Sequence, residues 1–100
     1  MALKTTKFNV QDHLKTRAAQ VGFLKAAIEE NDPSFLPTAL GEIARARGVS
    51  KFARESGLSR EVIYKAFREG GNPTLETITK AAHVLGLRLT FTRLKATRAA

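Results

Sequence analysis

Apolar residues recur every three or four positions through the first half of the chain, the spacing that lines up one face of an α-helix. After a loose arm over residues 1–8, the pattern predicts a short turn capped by Asn9 and a longer helix from Thr16 to about Asn31. The buried face of that helix is expected to consist of Val21, Leu24, Ala27 and Ile28.

A second helix is predicted to start at Asp32 and Pro33. Aspartate accepts hydrogen bonds from the free amides of a helix start, and proline is tolerated in the first turn. Arg45 and Arg47 suit the negative end of this helix, and Gly48 stops it. Its inner side is expected to carry Phe35, Leu36, Ala39, Leu40, Ile43 and Ala44.

The most informative stretch is residues 49–67, which read VSKFARESGLSREVIYKAF. Ala53, Gly57 and Ile63 have the spacing of a helix-turn-helix. The small alanine lets the second helix pack close, and the isoleucine anchors that helix in the core. Gly57 is expected to end the first helix in a left-handed conformation that costs little only for glycine. This motif predicts that the second helix lies in a DNA major groove.

Serine and threonine residues mark the predicted starts of the remaining helices. Ser50 is expected to cap the first helix of the motif, and Ser59 the second helix, over about residues 60–67. Thr74 is expected to cap a last helix that Gly86 ends. Core positions are available in that last helix at Leu75, Ile78, Ala82, Val84 and Leu85.

The hydrophobic period changes to two over residues 87–92, where Leu87, Leu89 and Phe91 alternate with polar side chains. This alternation predicts a half-buried β-strand. A lone strand in a helical domain needs a partner for its backbone groups. Pairing across a twofold dimer axis is favoured, and a frayed end packed by its apolar side chains is the alternative. Residues 93–100 are predicted to be a flexible basic tail.

These elements predict one all-α domain. It contains the helix-turn-helix, an extra N-terminal helix and the short C-terminal strand. The expected divisions are N-terminal helices over 9–31 and a DNA-binding core over 33–86. The chain has no cysteine, which excludes disulfides and thiolate metal sites and fits a reducing cytoplasm. No apolar run suggests a membrane span or a signal peptide.

Positive charge is concentrated in the second half of the chain. The net charge is +8. Residues 1–48 hold seven basic and five acidic side chains, or +2, whereas residues 49–100 hold ten and four, or +6. The excess therefore lies with the helix-turn-helix and the segment behind it, which favours binding of a polyanion. The alternative is that the charge serves solubility alone.

Eight residues of the motif are candidates for contact with double-stranded operator DNA. Arg60 is the best candidate for bidentate contact with a guanine edge, and Glu61 is expected to accept from cytosine or to orient Arg60. Phosphates are expected near the start of the first motif helix. The candidates are Ser50, Lys51, Arg54, Ser59, Arg60, Glu61, Tyr64 and Lys65. The inner face of the second helix is expected to be Val62, Ile63, Ala66 and Phe67.

A plain surface role is the alternative for each of these DNA candidates. Isolated arginine and lysine side chains are usually solvated, but their position on one motif favours function. No catalytic constellation is present, because His13 and His83 are far apart in sequence and no acidic cluster joins them. The chain is therefore predicted to be no enzyme, and no cofactor or metal is expected.

Residues 41–89 resemble a bacterial family, on the segments Ala44–Gly48, Gly57–Arg60, Tyr64–Ala66 and Gly71–Pro73. The segment is similar to addiction-module antidote proteins, HigA-like antitoxins with an Xre-type helix-turn-helix. The preceding residues 30–33 and 5–8 also resemble the N-terminal half of that family.

The resemblance implies a five-helix Xre, or lambda-repressor-like, domain with extra N-terminal helices, and a homodimer. It also implies a RelE/ParE-like toxin partner, usually an RNase or a gyrase poison, that the antitoxin neutralises by direct binding while it represses its own promoter.

The chain departs from the family pattern in two ways. Xre repressors often have glutamine near the start of both motif helices, where this chain has Lys51 and Arg60, so the resemblance implies no operator sequence. A separate toxin-wrapping segment is missing, so a toxin would be bound by the folded body, the arm or the tail. The alternatives are a stand-alone or phage-type dimeric repressor without a toxin and an interaction module that keeps the motif only as a scaffold.

Overall fold

A computed structural model describes residues 9–94 of the chain, and the regular structure over that range is helical. A 3-10 turn at Val10–His13 precedes five α-helices. They are α1 (Arg17–Glu29), α2 (Phe35–Arg47), α3 (Val49–Ser56), α4 (Arg60–Ala66) and α5 (Leu75–Val84). The expected all-α class is confirmed, but the five α-helices in residues 9–94 include the N-terminal α1, so four helices rather than the expected five follow it. None of the helices described is long and apolar enough to cross a membrane.

The predicted strand over 87–92 is wrong. Residues 87–94 form no regular secondary structure, and no strand occurs anywhere between residues 9 and 94. A strand needs a neighbour to take up its backbone hydrogen bonds, and the described part of the chain offers none. Leu87 packs against the core, whereas the segment behind it is exposed. The arm over 1–8 and the tail from residue 95 onward lie outside the described residues.

Side-chain caps start the 3-10 turn and, outside the helix-turn-helix, α1 and α5 as expected. The Asn9 carboxamide oxygen accepts a hydrogen bond from the Gln11 amide at 3.0 Å. The hydroxyls of Thr16 and Thr74 each accept from an amide three residues ahead, at 3.1 Å. These bonds satisfy amides that have no partner within the helix, which is why the helices begin at these positions.

The start of α2 differs from the prediction. The helix begins at Phe35, two residues beyond Pro33, and no side chain caps it. The Asp32 carboxylate instead accepts hydrogen bonds from the hydroxyl and the amide of Ser34, at 2.8 and 3.1 Å. Asp32 therefore closes the turn that precedes the helix. The hydrogen bond from the Ser34 hydroxyl, followed by that from its amide, holds the pKa of Asp32 below its ordinary value.

The core is built around two aromatic rings. Phe52 of α3 and Phe67, which follows α4, meet edge to face with their ring centroids 6.4 Å apart. Both are fully buried together with Leu14, Leu40 and Ile43. Edge-to-face packing favours one relative orientation of the rings. This pair therefore helps to fix α4 against α3.

Four of the residues expected inside are exposed. Ile28, Phe35 and Leu75 keep 55%, 42% and 66% of their surface, and Val62 also lies outside the core. Ile28 lies in the last turn of α1, Phe35 is the first residue of α2, and Leu75 is the first residue of α5. The spacing identifies the apolar face correctly, but at these helix ends the face extends beyond the neighbouring helices.

A polar network joins the N-terminal half to the helix-turn-helix. Gln20, only 3% exposed, donates to the Leu14 carbonyl at 2.9 Å and accepts from Arg47 at 2.8 Å. Arg47 also forms an ion pair with Glu55 at 3.0 Å. The sequence indicated only a helix-end charge at Arg47. The structure shows that it links α1, α2 and α3.

A close backbone approach sets the position of α4 relative to α2. Gly41, in the middle of α2, lies directly against the main-chain carbonyl of Phe67. A Cβ atom at Gly41 would overlap that carbonyl oxygen. Only glycine therefore lets α2 pass this close to the end of α4.

We expect Gly41→Ala to lower the free energy of unfolding by about 1–3 kcal/mol, because the new methyl group must push the two backbones apart. Urea denaturation measures the change. Gly22→Ala is the matched control, because a Cβ at Gly22 meets no atom within 4 Å. Replacing a glycine inside a helix with alanine should stabilise that variant by about 0.5–1 kcal/mol. Equal effects of the two substitutions would contradict the close approach.

Candidate nucleic-acid interface

The turn between α3 and α4 has the geometry that the sequence predicted. Gly57 follows α3 with φ +80° and ψ 7°, a left-handed conformation, and its amide donates to the Ala53 carbonyl at 2.9 Å. Leu58 then turns into the core. Because the turn is short and its apolar residue is buried, α3 and α4 are held in a fixed relation.

The start of α4 is capped as expected. The Ser59 hydroxyl accepts a hydrogen bond from the Val62 amide at 3.0 Å. Ile63 and Phe67 are buried and Ala66 is partly buried, which confirms three of the four residues expected on the inner face. Val62 is the exception. The first turn of α4 is consequently exposed, while its later residues hold it to the core.

Ser50 does not cap α3. The helix begins at Val49, after Gly48, and no side chain caps it. The Ser50 hydroxyl instead accepts a hydrogen bond from Nη1 of Arg60 at 3.1 Å. Two of the candidate contact residues, one from the first turn of each motif helix, are therefore joined directly.

Within residues 9–94, no side-chain hydrogen bond or ion pair joins the other candidate residues to one another, and all of them are exposed. Lys51, Arg54, Ser59, Glu61, Tyr64 and Lys65 all lie on the surface. Glu61 forms no ion pair with Arg60 among the residues the structure describes, so the orienting contact of Arg60 is with Ser50. The phenol of Tyr64 and the ammonium groups of Lys51 and Lys65 are exposed and available to a ligand.

Arg68 is a further cation that the sequence reasoning did not single out. It is exposed just beyond α4, and its Nε donates to the Lys65 carbonyl at 3.0 Å. The bond satisfies a carbonyl of the last turn of the helix. Its position directly after the second motif helix could have identified Arg68 as a candidate from the sequence.

The charge of this surface is strongly positive. Residues 49–68 hold five basic and two acidic side chains, which gives +3. Of the two carboxylates, Glu55 is already paired with Arg47. The surface can therefore attract a polyanion and offers hydrogen-bond donors to it. Within residues 9–94, no group of three or more His, Asp or Glu side chains could hold a metal ion.

α3, the left-handed turn at Gly57 and α4 follow one another in the order of a helix-turn-helix. Residues 4–93 match a family model described as "Probable addiction module antidote protein". An uncharacterized protein of Haemophilus influenzae (strain KW20 / Rd) is 40% identical over 81 residues, which are 81% of this chain and 84% of that protein. The chain therefore belongs to the addiction-module antidote family, and the family implies a toxin partner. No solved structure matches the chain.

We expect Gly57→Ala to destabilise the protein by about 1–2 kcal/mol, because an L-residue is strained in the left-handed conformation. No atom lies within 4 Å of a Cβ at this position, so the loss reports backbone strain alone. Gly57→Asn should lose less, since asparagine tolerates this conformation better. Chemical denaturation of both variants checks the prediction, and a larger loss for asparagine than for alanine would contradict it.

Proposed function

We propose that this chain is the antitoxin of a type II toxin–antitoxin module. It neutralises a RelE/ParE-like toxin by direct binding and represses its own operon as a DNA-binding dimer of the HigA-like, Xre type. It acts in the cytoplasm, by binding and without catalysis. Membership of the antidote family over residues 4–93 is the observation that carries the proposal.

The exposed first turn of α4 supports the DNA-binding part. A major groove admits an α-helix, whose N-terminal residues then face the base edges. Arg60 is the first residue of α4, and one of its five N–H donors is engaged by Ser50. The remaining donors suffice for a bidentate contact with guanine. The hydrogen bond reduces the freedom that the side chain would lose on binding.

Cations around this helix support contact with phosphates. Lys51 lies in the first turn of α3, where helix amides and a lysine can act on the same phosphate. Arg54 and Lys65 are exposed on the two motif helices. Such contacts position the protein on DNA and carry no sequence information.

Arg60→Ala should reduce specific operator binding by about 1–3 kcal/mol and relax the sequence preference, because a base contact is lost. Binding to operator and to random DNA of equal length measures both effects. Ser50→Ala is the matched test of orientation, since it keeps the guanidinium and removes its tether. Any phosphate contact that the Ser50 hydroxyl makes would be lost equally on both DNAs. We expect a smaller loss of specificity from it. Equal losses on both DNAs for Arg60→Ala would exclude this residue from base readout.

Lys51→Ala should weaken binding to all sequences and flatten the dependence of log affinity on log salt by roughly one unit, because one phosphate contact releases about one counterion. Titrations at several salt concentrations measure the slope. Lys25→Ala removes the same charge from an exposed position on α1. An unchanged slope for Lys51→Ala, or the same change for both variants, would contradict a phosphate contact at Lys51.

Co-expression with the product of the neighbouring gene tests the antitoxin role. We expect the two proteins to elute together in high salt, and co-expression to relieve growth arrest by the partner. Absence of binding, with operator binding intact, would instead establish a stand-alone or phage-type repressor. Absence of DNA binding, with the toxin neutralised, would leave the antitoxin role and remove autorepression.

A further inference from the structure

A hollow surface lies between the α1–α2 turn and the loop from α4 to α5. Its central cavity has a volume of about 480 Å³ and is lined by Leu36, Pro37 and Ile78 together with loop residues 70–73. Two neighbouring hollows share lining residues with this cavity and extend the surface to Ile28 and to Phe35. A third hollow, lined by Glu30, Asp32 and Phe35, shares Asp32 with the first of these and Phe35 with the second. We call this surface the acidic groove. Its apolar walls include two of the large side chains that the helices leave exposed.

The acidic groove has a charge opposite to that of the whole chain. Glu30, Asp32 and Glu69 line it. No lysine, arginine or histidine is among the described residues that line these hollows. In a chain with 17 basic and 9 acidic residues, such a surface disfavours DNA and favours a basic ligand with apolar side chains. None of the eight candidate DNA-contact residues lines the groove.

The C-terminal segment, residues 88–94, has the complementary chemistry. Leu89, Phe91 and Leu94 are 43%, 98% and 88% exposed, so their side chains cover little of the chain that carries them. Arg88 directly precedes Leu89, Arg93 lies between Phe91 and Leu94, and the sequence contains no acidic residue beyond Glu76. An exposed phenylalanine flanked by arginines is the kind of ligand that an apolar groove with carboxylates would accept.

We propose that the C-terminal segment of one protomer occupies the acidic groove of a second copy of the chain, and that the exchange is reciprocal. Two identical contacts related by a twofold axis close the assembly at a dimer. Direct groove-to-groove contact would oppose like charges and is therefore disfavoured. The inference rests on the dimer of the proposed function, and it assigns the contacts between the two protomers.

Charge reversal followed by mixing tests the exchange. One variant carries Glu30→Lys and Glu69→Lys in the groove, and the other carries Arg88→Glu and Arg93→Glu in the segment. Each variant alone should dissociate at concentrations where the wild-type chain is dimeric in sedimentation equilibrium. An equimolar mixture should form the dimer again, because each segment then meets a groove of opposite charge. Lys15→Glu with Lys25→Glu, at exposed positions elsewhere, is the control and should stay dimeric.

The apolar part of the contact has its own test. Phe91→Ser should weaken the dimer by roughly tenfold or more, since burial of the ring is lost. Leu75→Ser removes another exposed apolar side chain that lines none of these hollows, and it should leave the dimer unchanged. Equal effects of the two substitutions would overturn the assignment of Phe91.

Three results would overturn the inference: a monomeric wild-type chain, variants that remain dimeric when studied alone, or a mixture that does not associate. A toxin that binds the monomeric wild-type chain but not the groove variant would assign the groove to the toxin instead. Relief of growth arrest by the partner protein is read separately, so a failed exchange and a failed antitoxin role give different results.

Discussion

The position of the second motif helix depends on the close packing of α2 against the end of α4. Gly41 lets the Phe67 carbonyl approach α2, and the ring of the same phenylalanine packs edge to face on Phe52. Both contacts act at the C-terminal end of α4. The helix is therefore held firmly at that end, which leaves its first turn, with Ser59 and Arg60, on the surface. A site on a rigid element is better ordered than one on a loop.

The partly buried network around Arg47 links the N-terminal half to these packed helices. Its side chain is only 13% exposed and meets both Glu55 and Gln20, so the charge is compensated where water is scarce. Loss of either partner would leave a poorly solvated polar group, which is costly. The network also explains why a glutamine is buried on α1. The same contact neutralises Glu55, so the exposed surface of α3 stays positive.

Signals that act within three or four residues could be predicted from the sequence. The caps at Thr16, Ser59 and Thr74 and the turn at Gly57 depend only on close neighbours in the chain.

Contacts across longer separations could not be predicted in this way. The Arg47–Gln20 bond, the serine tether of Arg60 and the packing at Gly41 exist only once the helices are assembled. The strand prediction was wrong for the same reason, because alternation describes side chains and provides no pairing partner. Exposure of the candidate DNA residues followed from the motif, whereas their mutual contacts did not.

The net charge of the chain conceals an uneven distribution. Ion pairs engage Glu42, Glu55 and Glu76, which leaves six of the nine carboxylates outside ion pairs in residues 9–94. Three of these six line the acidic groove, and the motif retains a single such carboxylate, at Glu61. Attraction to DNA and attraction between copies would thus use different surfaces of opposite charge. Salt screens both. If the dimer is the form that binds the operator, salt affects both dimerisation and DNA binding at protein concentrations below the dissociation constant of the dimer. The salt slope then reports both equilibria. Only titrations above that concentration measure the number of phosphate contacts.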